Sequence, residues 1–444
     1  MPESTGSLPA FPTAAGVALT VAFDGGRLTS DGGLPWLAEA DAALGLCNQL
    51  AACLPPRQRR GRHPLPALLR QRIVQIACGY EDQNDATTLR HDPLLKLVCG
   101  RLPDSDPPLA SQATFSRLEN AVDRHTRERL AQVLVACYIA QRGHAGPPQR
   151  ILLDIDGTAD PAHGAQEGVR YHGVYGQHMY HPLLLFDGDT GQLIAAVLRP
   201  GNAHGGRLAV LVLRRVLRLL RHAWPGVRVE LRADSGVASP RLYAFCEAHA
   251  VHDTIGLIPN ARLRALAAGL LAEAEAQSAA QGGAKVRLAG ADTYRAGSWP
   301  QQRRVVFKAE VLGKGPNTRF VVTDQPDDPL TVYDRYVDRG QAENYSKDCK
   351  NALAGDRLSD HRFWANQFRL LLHAAAYWLL GTLRGWLADT ALATAQFDTI
   401  RLRLLKIAGR VCAWVRGVRL HLAASHPSEP LWRHLALHPQ RLNA

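Results

Sequence analysis

Between residues 33 and 143 the apolar positions recur at helical spacing, interrupted by polar breaks at 54–66 (LPPRQRRGRHPLP) and 103–112 (PDSDPPLASQ). Ser116 and Glu119 have the spacing of a capping box for a helix running towards Gly143. Ahead of this region, Val17–Phe23 reads as a short strand. From residue 150 the period shortens. Arg150–Asp156 (RILLDID) predicts a buried strand, and Met179–Phe186 and Gln192–Leu198 predict two more, joined by the turn DGDTG. Apolar positions 208, 211, 212, 216, 219 and 220 predict a helix over His204–Trp224. A strand over Val227–Ala233 ending at Asp234, a short helix over Pro240–Ala250 and a strand over Thr254–Ile258 follow. An Ala/Leu-rich helix at 261–279, strand-like runs at Arg304–Val311 and Arg319–Thr323, and helices at 333–353 and 360–388 are then expected.

Two hairpin-joined strands followed by crossover units predict an α/β fold, a mixed sheet with flanking helices. The order is that of a ribonuclease-H-like core interrupted by a β-rich insertion. The expected organisation is a mainly helical N-terminal region (1–149), a core made of 150–260 and 331–390, an insertion subdomain (261–330), and a basic helical C-terminal region (391–444). A length of 444 residues fits about three domains at roughly 150 residues each.

Charge narrows the partners. The net charge is +12, and of the 52 basic residues only seven are Lys. That excess favours polyanions, and Arg forks onto phosphate. Residues 396–444 hold eight Arg or Lys against two acids. The longest apolar run, 14 residues between Arg369 and Arg384, is too short to span a membrane and reads as a buried helix. No basic residue precedes Arg27, so a secretory leader is not expected. The eight Cys form no CxxC pair and suit buried, reduced thiols in a cytoplasmic protein.

Three acids stand where a sheet can aim them at one point: Asp156 in a strand, Asp234 at the end of another, and Glu343 on a helix after the interruption. Convergent carboxylates suit hard divalent cations. Two ions about 4 Å apart serve phosphodiester chemistry by activating the attacking oxygen and stabilising the leaving one. Each acid alone is also a common turn or cap residue, and spacing does not show that the three converge. The Glu343 region adds to the case. Tyr336, Arg339, Glu343, Lys347 and Lys350 share one face if the stretch is a continuous helix, which sets one acid among three cations and an aromatic ring. A solvated, salt-bridged surface has the same spacing.

The spacing Tyr336-x2-Arg339-x3-Glu343-x6-Lys350 is similar to the Y-(2)-R-(3)-E-(6)-K signature of DDE transposases of the insertion-sequence 4 superfamily. The whole chain resembles the insertion-sequence 1380 family of bacterial elements, through TSDGG (29–33), LASQATFSRLEN (109–120), LLDIDGTADPAHG (152–164), YGQHMYHPLLLFD (175–187), LRADSG (231–236), FWANQFRLLLHAAAYWLL (363–380) and RLRLLKIAGRV (401–411). The resemblance implies metal-dependent strand cleavage and strand transfer at terminal inverted repeats. It implies a catalytic, metal-binding triad of Asp156, Asp234 and Glu343, two Mg²⁺ ions with Mn²⁺ as substitute, and phosphate binding by Tyr336, Arg339, Lys347 and Lys350. It also implies double-stranded element-end and target DNA as partners, a homodimer on DNA, no membrane association, and a cytoplasmic, nucleoid-associated location.

LLDIDGT also fits the hhhhDxDGT motif of haloacid-dehalogenase-like phosphatases, with Asp154 as nucleophile and Asp156 as acid/base. Its position 150 residues into the chain, the hairpin that follows, and the lack of ordered downstream Lys and acidic motifs oppose that reading. A catalytically silent DNA-binding relative is a third reading, which an undamaged triad disfavours. His163, His172, His178 and His181 invite a metal site, but His178 and His181 would face opposite ways on one strand. Trp299 is a candidate for base stacking, with core packing the commoner role. The loop Arg57–Arg62 and a helix with Arg401, Arg403, Lys406 and Arg410 are candidate phosphate grips.

Overall fold

The computed structural model describes residues 11–56, 63–162, 164–313 and 315–437. The basic loop Arg57–Arg62 and His163 lie outside the described residues. The chain forms two compact units, one from 1–118 together with 379–444, the other from 119–378.

The first unit is helical at its N-terminal end. Leu34–Leu44 and Leu65–Ala77 each carry Pro in the first turn, where the missing N–H costs nothing. Pro93–Val98 is capped by Asp92, which accepts from the Leu94 and Leu95 N–H groups. The C-terminal part departs from the expected all-helical region. A short helix at Phe397–Ile400 runs into a π turn at Arg401–Leu405, and the antiparallel strands Gly409–Trp414 and Gly417–Leu422 follow. Arg410 therefore sits on a strand, not on a helix with Arg401, Arg403 and Lys406. The first of these strands also pairs with Leu28–Thr29, and the Lys406 ammonium lies 2.7 Å from Asp31 and 3.9 Å from the Tyr80 ring centre.

The second unit is built on an eight-stranded sheet. Its order is 286–294, 303–312, 315–323, 251–257, 228–233, 150–157, 183–187, 193–197. The three central strands, Arg150–Gly157, Arg228–Ala233 and Val251–Leu257, are parallel. The helices Ala209–Ala223 and Pro240–Ala248 supply the crossovers that parallel pairing requires. The apolar residues Ile151, Leu152, Leu153 and Ile155, pointing to both faces in turn, fit a strand covered on both sides. In the first crossover helix the buried stripe is Ala209, Val212, Leu213, Val216, Leu217 and Leu220.

The expected strand Met179–Phe186 is two strands, Gln177–Tyr180 and Leu183–Asp187, parted at Pro182, which has no N–H for a ladder. The first half belongs to a separate small sheet with Asp160–Pro161 and Arg170–His172. Residues 261–330, expected as an inserted subdomain, form the helix Ala261–Ala280 and three antiparallel strands that extend the main sheet, because Gly315–Thr323 pairs with Val251–Leu257. From the helix that begins at Phe363, Gln367 receives the Leu198 N–H and donates to the Ala196 carbonyl, while Tyr377 and Trp378 donate to the Gly191 and Leu193 carbonyls. No described helix is long and apolar enough to cross a membrane.

Candidate active site

Strand register brings two of the acids together. In the parallel ladder Arg232 lies opposite Asp154 and Ala233 opposite Ile155. One step further places Asp234 beside Asp156, on neighbouring strands about 4.8 Å apart. Side chains alternate between faces, so Asp154 and Asp156 share a face with Arg232 and Asp234. Asp234 also serves its turn: its Oδ1 accepts the N–H groups of Gly236 and Val237. Gly157 is required locally, since a Cβ there would stand 2.8 Å from His181 Nε2 and 2.9 Å from Arg199 Nη2.

The third acid arrives from above this face. The expected continuous helix 333–353 is broken. Pro329–Val337 ends at Asp338, Gly340–Lys347 follows, and Asp348–Ala352 widens into a π turn. Arg339 links this segment to the strand carboxylates. The Arg339 guanidinium lies 3.9 Å from Asp156 Oδ1 and 3.7 Å from Glu343 Oε1, and 5.9 Å from the Tyr336 ring centre. Its Nη1 is buried with no hydrogen-bond partner. The Tyr336 hydroxyl packs where a Cβ on Gly256 would overlap it. Ser346 donates to Asp156 Oδ2 at 3.3 Å. The Lys350 ammonium, swung by the π turn, donates to the Ala159 carbonyl at 2.6 Å, and Lys347 is exposed.

Electrostatics set the two ends of the site apart. The Asp156 side chain is 15% exposed and that of Glu343 60%. Burial, the neighbouring Asp234 charge and, less strongly, Glu343 push the Asp156 carboxyl up to about 6, against the pull of Arg339 and Ser346. These oxygens are hard donors crowded by like charge, which is what a divalent cation relieves. The donor set fits such an ion, with Arg339 lying between Asp156 and Glu343. Among the described residues no three His, Cys, Asp or Glu are gathered as a ligand set, and Glu343 stands exposed, apart from the two strand acids.

The other candidates fall elsewhere. His178 is exposed against the Tyr171 ring, while His181 is buried with Nδ1 3.0 Å from the Ala203 carbonyl, its imidazole pushed below the ordinary value by burial. Trp299 is 5% exposed, edge-on to Tyr243 and Tyr294, and so is core rather than a stacking platform. Asp154 is fully buried and grips Arg232 through both oxygens at 2.7 Å. A carboxylate buried and held on both oxygens by a guanidinium is a poor nucleophile, which counts against the phosphatase role for Asp154. Sequence reasoning missed Arg232 and Ser346. Arg232 was visible as the residue two before Asp234, as Asp154 is two before Asp156.

The family model described as Transposase DDE domain group 1 matches residues 11–444. The chain belongs to this DDE transposase family. Its members cut and transfer DNA and generally use divalent metal ions. The DDE transposase chain is also similar to a solved structure, a piggyBac transposase synaptic complex with hairpin DNA determined by cryo-electron microscopy. The identity is 12%, the match covers 91% of this chain and 89% of that one, and the TM-score is 0.37. No curated protein matches the chain.

Proposed function

We propose that this DDE transposase serves a bacterial insertion sequence of the insertion-sequence 1380 family. It would bind the terminal inverted repeats, cut the strands there and join the element ends to target DNA, acting as a homodimer on double-stranded DNA. The observation that carries the reading is the meeting of Asp156, Asp234 and the Tyr336–Arg339–Glu343 surface at the ends of two adjacent parallel strands. The strand order 193–197, 183–187, 150–157, 228–233, 251–257 supports a ribonuclease-H-like core.

Asp156, Asp234 and Glu343 would hold Mg²⁺, with Mn²⁺ as substitute. When bound, the ions activate the attacking oxygen and stabilise the leaving one. Arg339 neutralises the carboxylates in their absence and is free to turn to a DNA phosphate once the acids are neutralised otherwise. Tyr336 and Lys347 would add phosphate contacts, and Lys350 would join them on leaving the Ala159 carbonyl. In the full-length chain, Asp156→Ala, Asp234→Ala and Glu343→Ala should each abolish Mn²⁺-dependent cutting of a duplex carrying the element's inverted repeat, while end binding persists in gel shifts. Wild-type cutting by any one of them removes that residue from the site.

A further inference from the structure

The break between the helices Pro329–Val337 and Gly340–Lys347 leaves an unpaired carbonyl at Arg335. Its ordinary α-helical donor, the Arg339 N–H, bonds to the Tyr336 carbonyl instead. Arg232 fills the vacancy, with Nη1 donating to the Arg335 carbonyl at 2.6 Å. The rest of that guanidinium is fixed by Asp154, with Nε to Oδ1 and Nη2 to Oδ2 both 2.7 Å. Arg232 is 7% exposed at its side chain and Asp154 0%, so neither is a surface group oriented by chance. Arg232 is two residues before Asp234, and Asp154 two before Asp156. Arg335 is four before Arg339 and eight before Glu343.

Resting on the proposed function, we infer that Arg232 is a positioning residue, oriented by Asp154, that fixes the helical segment carrying Tyr336, Arg339 and Glu343 over the Asp156–Asp234 pair. One rigid fork spans strand, strand and helix. It sets the distance Glu343 must cover to join the strand acids. A cation at a helix C-terminus also complements the partial negative charge there. Lys cannot reproduce the arrangement, since an ammonium lacks the planar fork that serves Asp154 on one edge and a carbonyl on another.

The test uses the full-length chain and two variants. Asp154→Leu/Arg232→Met replaces the buried pair by apolar groups of similar size, a change that buried ion pairs often tolerate. Arg232→Lys keeps the charge. Both should retain end-DNA affinity within about twofold, and cleavage turnover should drop roughly 10–100-fold, as when groups that orient metal ligands are removed. The Mn²⁺ concentration for half-maximal cleavage should rise in the same range. Amide hydrogen exchange over 329–347 should quicken while Arg228–Ala233 keeps its protection. Exchange reads the tether without DNA. Unchanged exchange over 329–347 in either folded variant overturns the inference. Quickened exchange in a chain whose wild type never cuts DNA supports the tether and overturns the parent reading instead.

Discussion

Replacing Asp156 by Asn should make the metal-free protein more stable while ending its chemistry. The folded chain holds the Asp156 carboxyl at about 6 against an ordinary 3.8. That difference of 2.2 units, at about 1.36 kcal/mol each, is about 3 kcal/mol at most. The sign follows from which form the fold prefers. A raised carboxyl pKa means the folded state binds the proton more tightly than the unfolded state. The associated stability is therefore fully present below pH 3.8, declines as pH rises towards 6, and is gone above it. Asn cannot ionise, and its amide oxygen still accepts from Ser346. In chelator at pH 8, Asp156→Asn should resist urea more than wild type by up to about 3 kcal/mol, and the gap should close near pH 4. Mn²⁺ should restore stability to wild type more than to the variant. A variant less stable than wild type at pH 8 in chelator, or a gap that ignores pH, refutes the crowding of like charge on which the site assignment leans.

Trp299→Ala should cost about 3–5 kcal/mol, as for an aromatic core residue, with end affinity of the folded fraction intact. Weakened DNA binding at unchanged stability would return the residue to a stacking role. Lys347→Gln should lower the log–log salt slope of DNA binding by about 0.9, the share of one phosphate contact. Lys350→Gln should in addition lower the melting temperature, because it loses the Ala159 carbonyl; equal melting of the two variants counts against that bond.

The buried strands were legible because a sheet covered on both faces leaves consecutive apolar residues, as in Ile151, Leu152 and Leu153. The carboxylate neighbours were half legible. A two-residue period puts Asp154 with Asp156 and Arg232 with Asp234, yet only the register Arg232 against Asp154 makes them one row. The helix face was read with a uniform period. That period is interrupted twice, by the break between Val337 and Gly340 and by the π turn at Asp348–Ala352, which widens the turn that holds Lys350. The core role of Trp299 and the strands at 303–312 and 315–323 were legible, but not what covers or pairs with them. Which partner covers an apolar segment depends on residues far away in sequence, here Tyr243 for Trp299 and Val251–Leu257 for Gly315–Thr323. The hairpin at Gly409–Leu422 was hidden in a basic tail whose Arg residues said nothing of backbone.

The pairing of Leu28–Thr29 with Gly409–Arg410 has a consequence in time. The unit made of 1–118 and 379–444 cannot close until its second part has been synthesised. At 5–20 residues per second, the roughly 260 residues in between delay it by on the order of 10–50 s. The second unit, drawn wholly from 119–378, has all its strands once residue 323 is made, before the strand Gly409–Trp414 exists. A nascent chain thus carries all three candidate acids before it owns its finished companion unit, and a ribosome that stalls before residue 409 leaves the early strand without its mate.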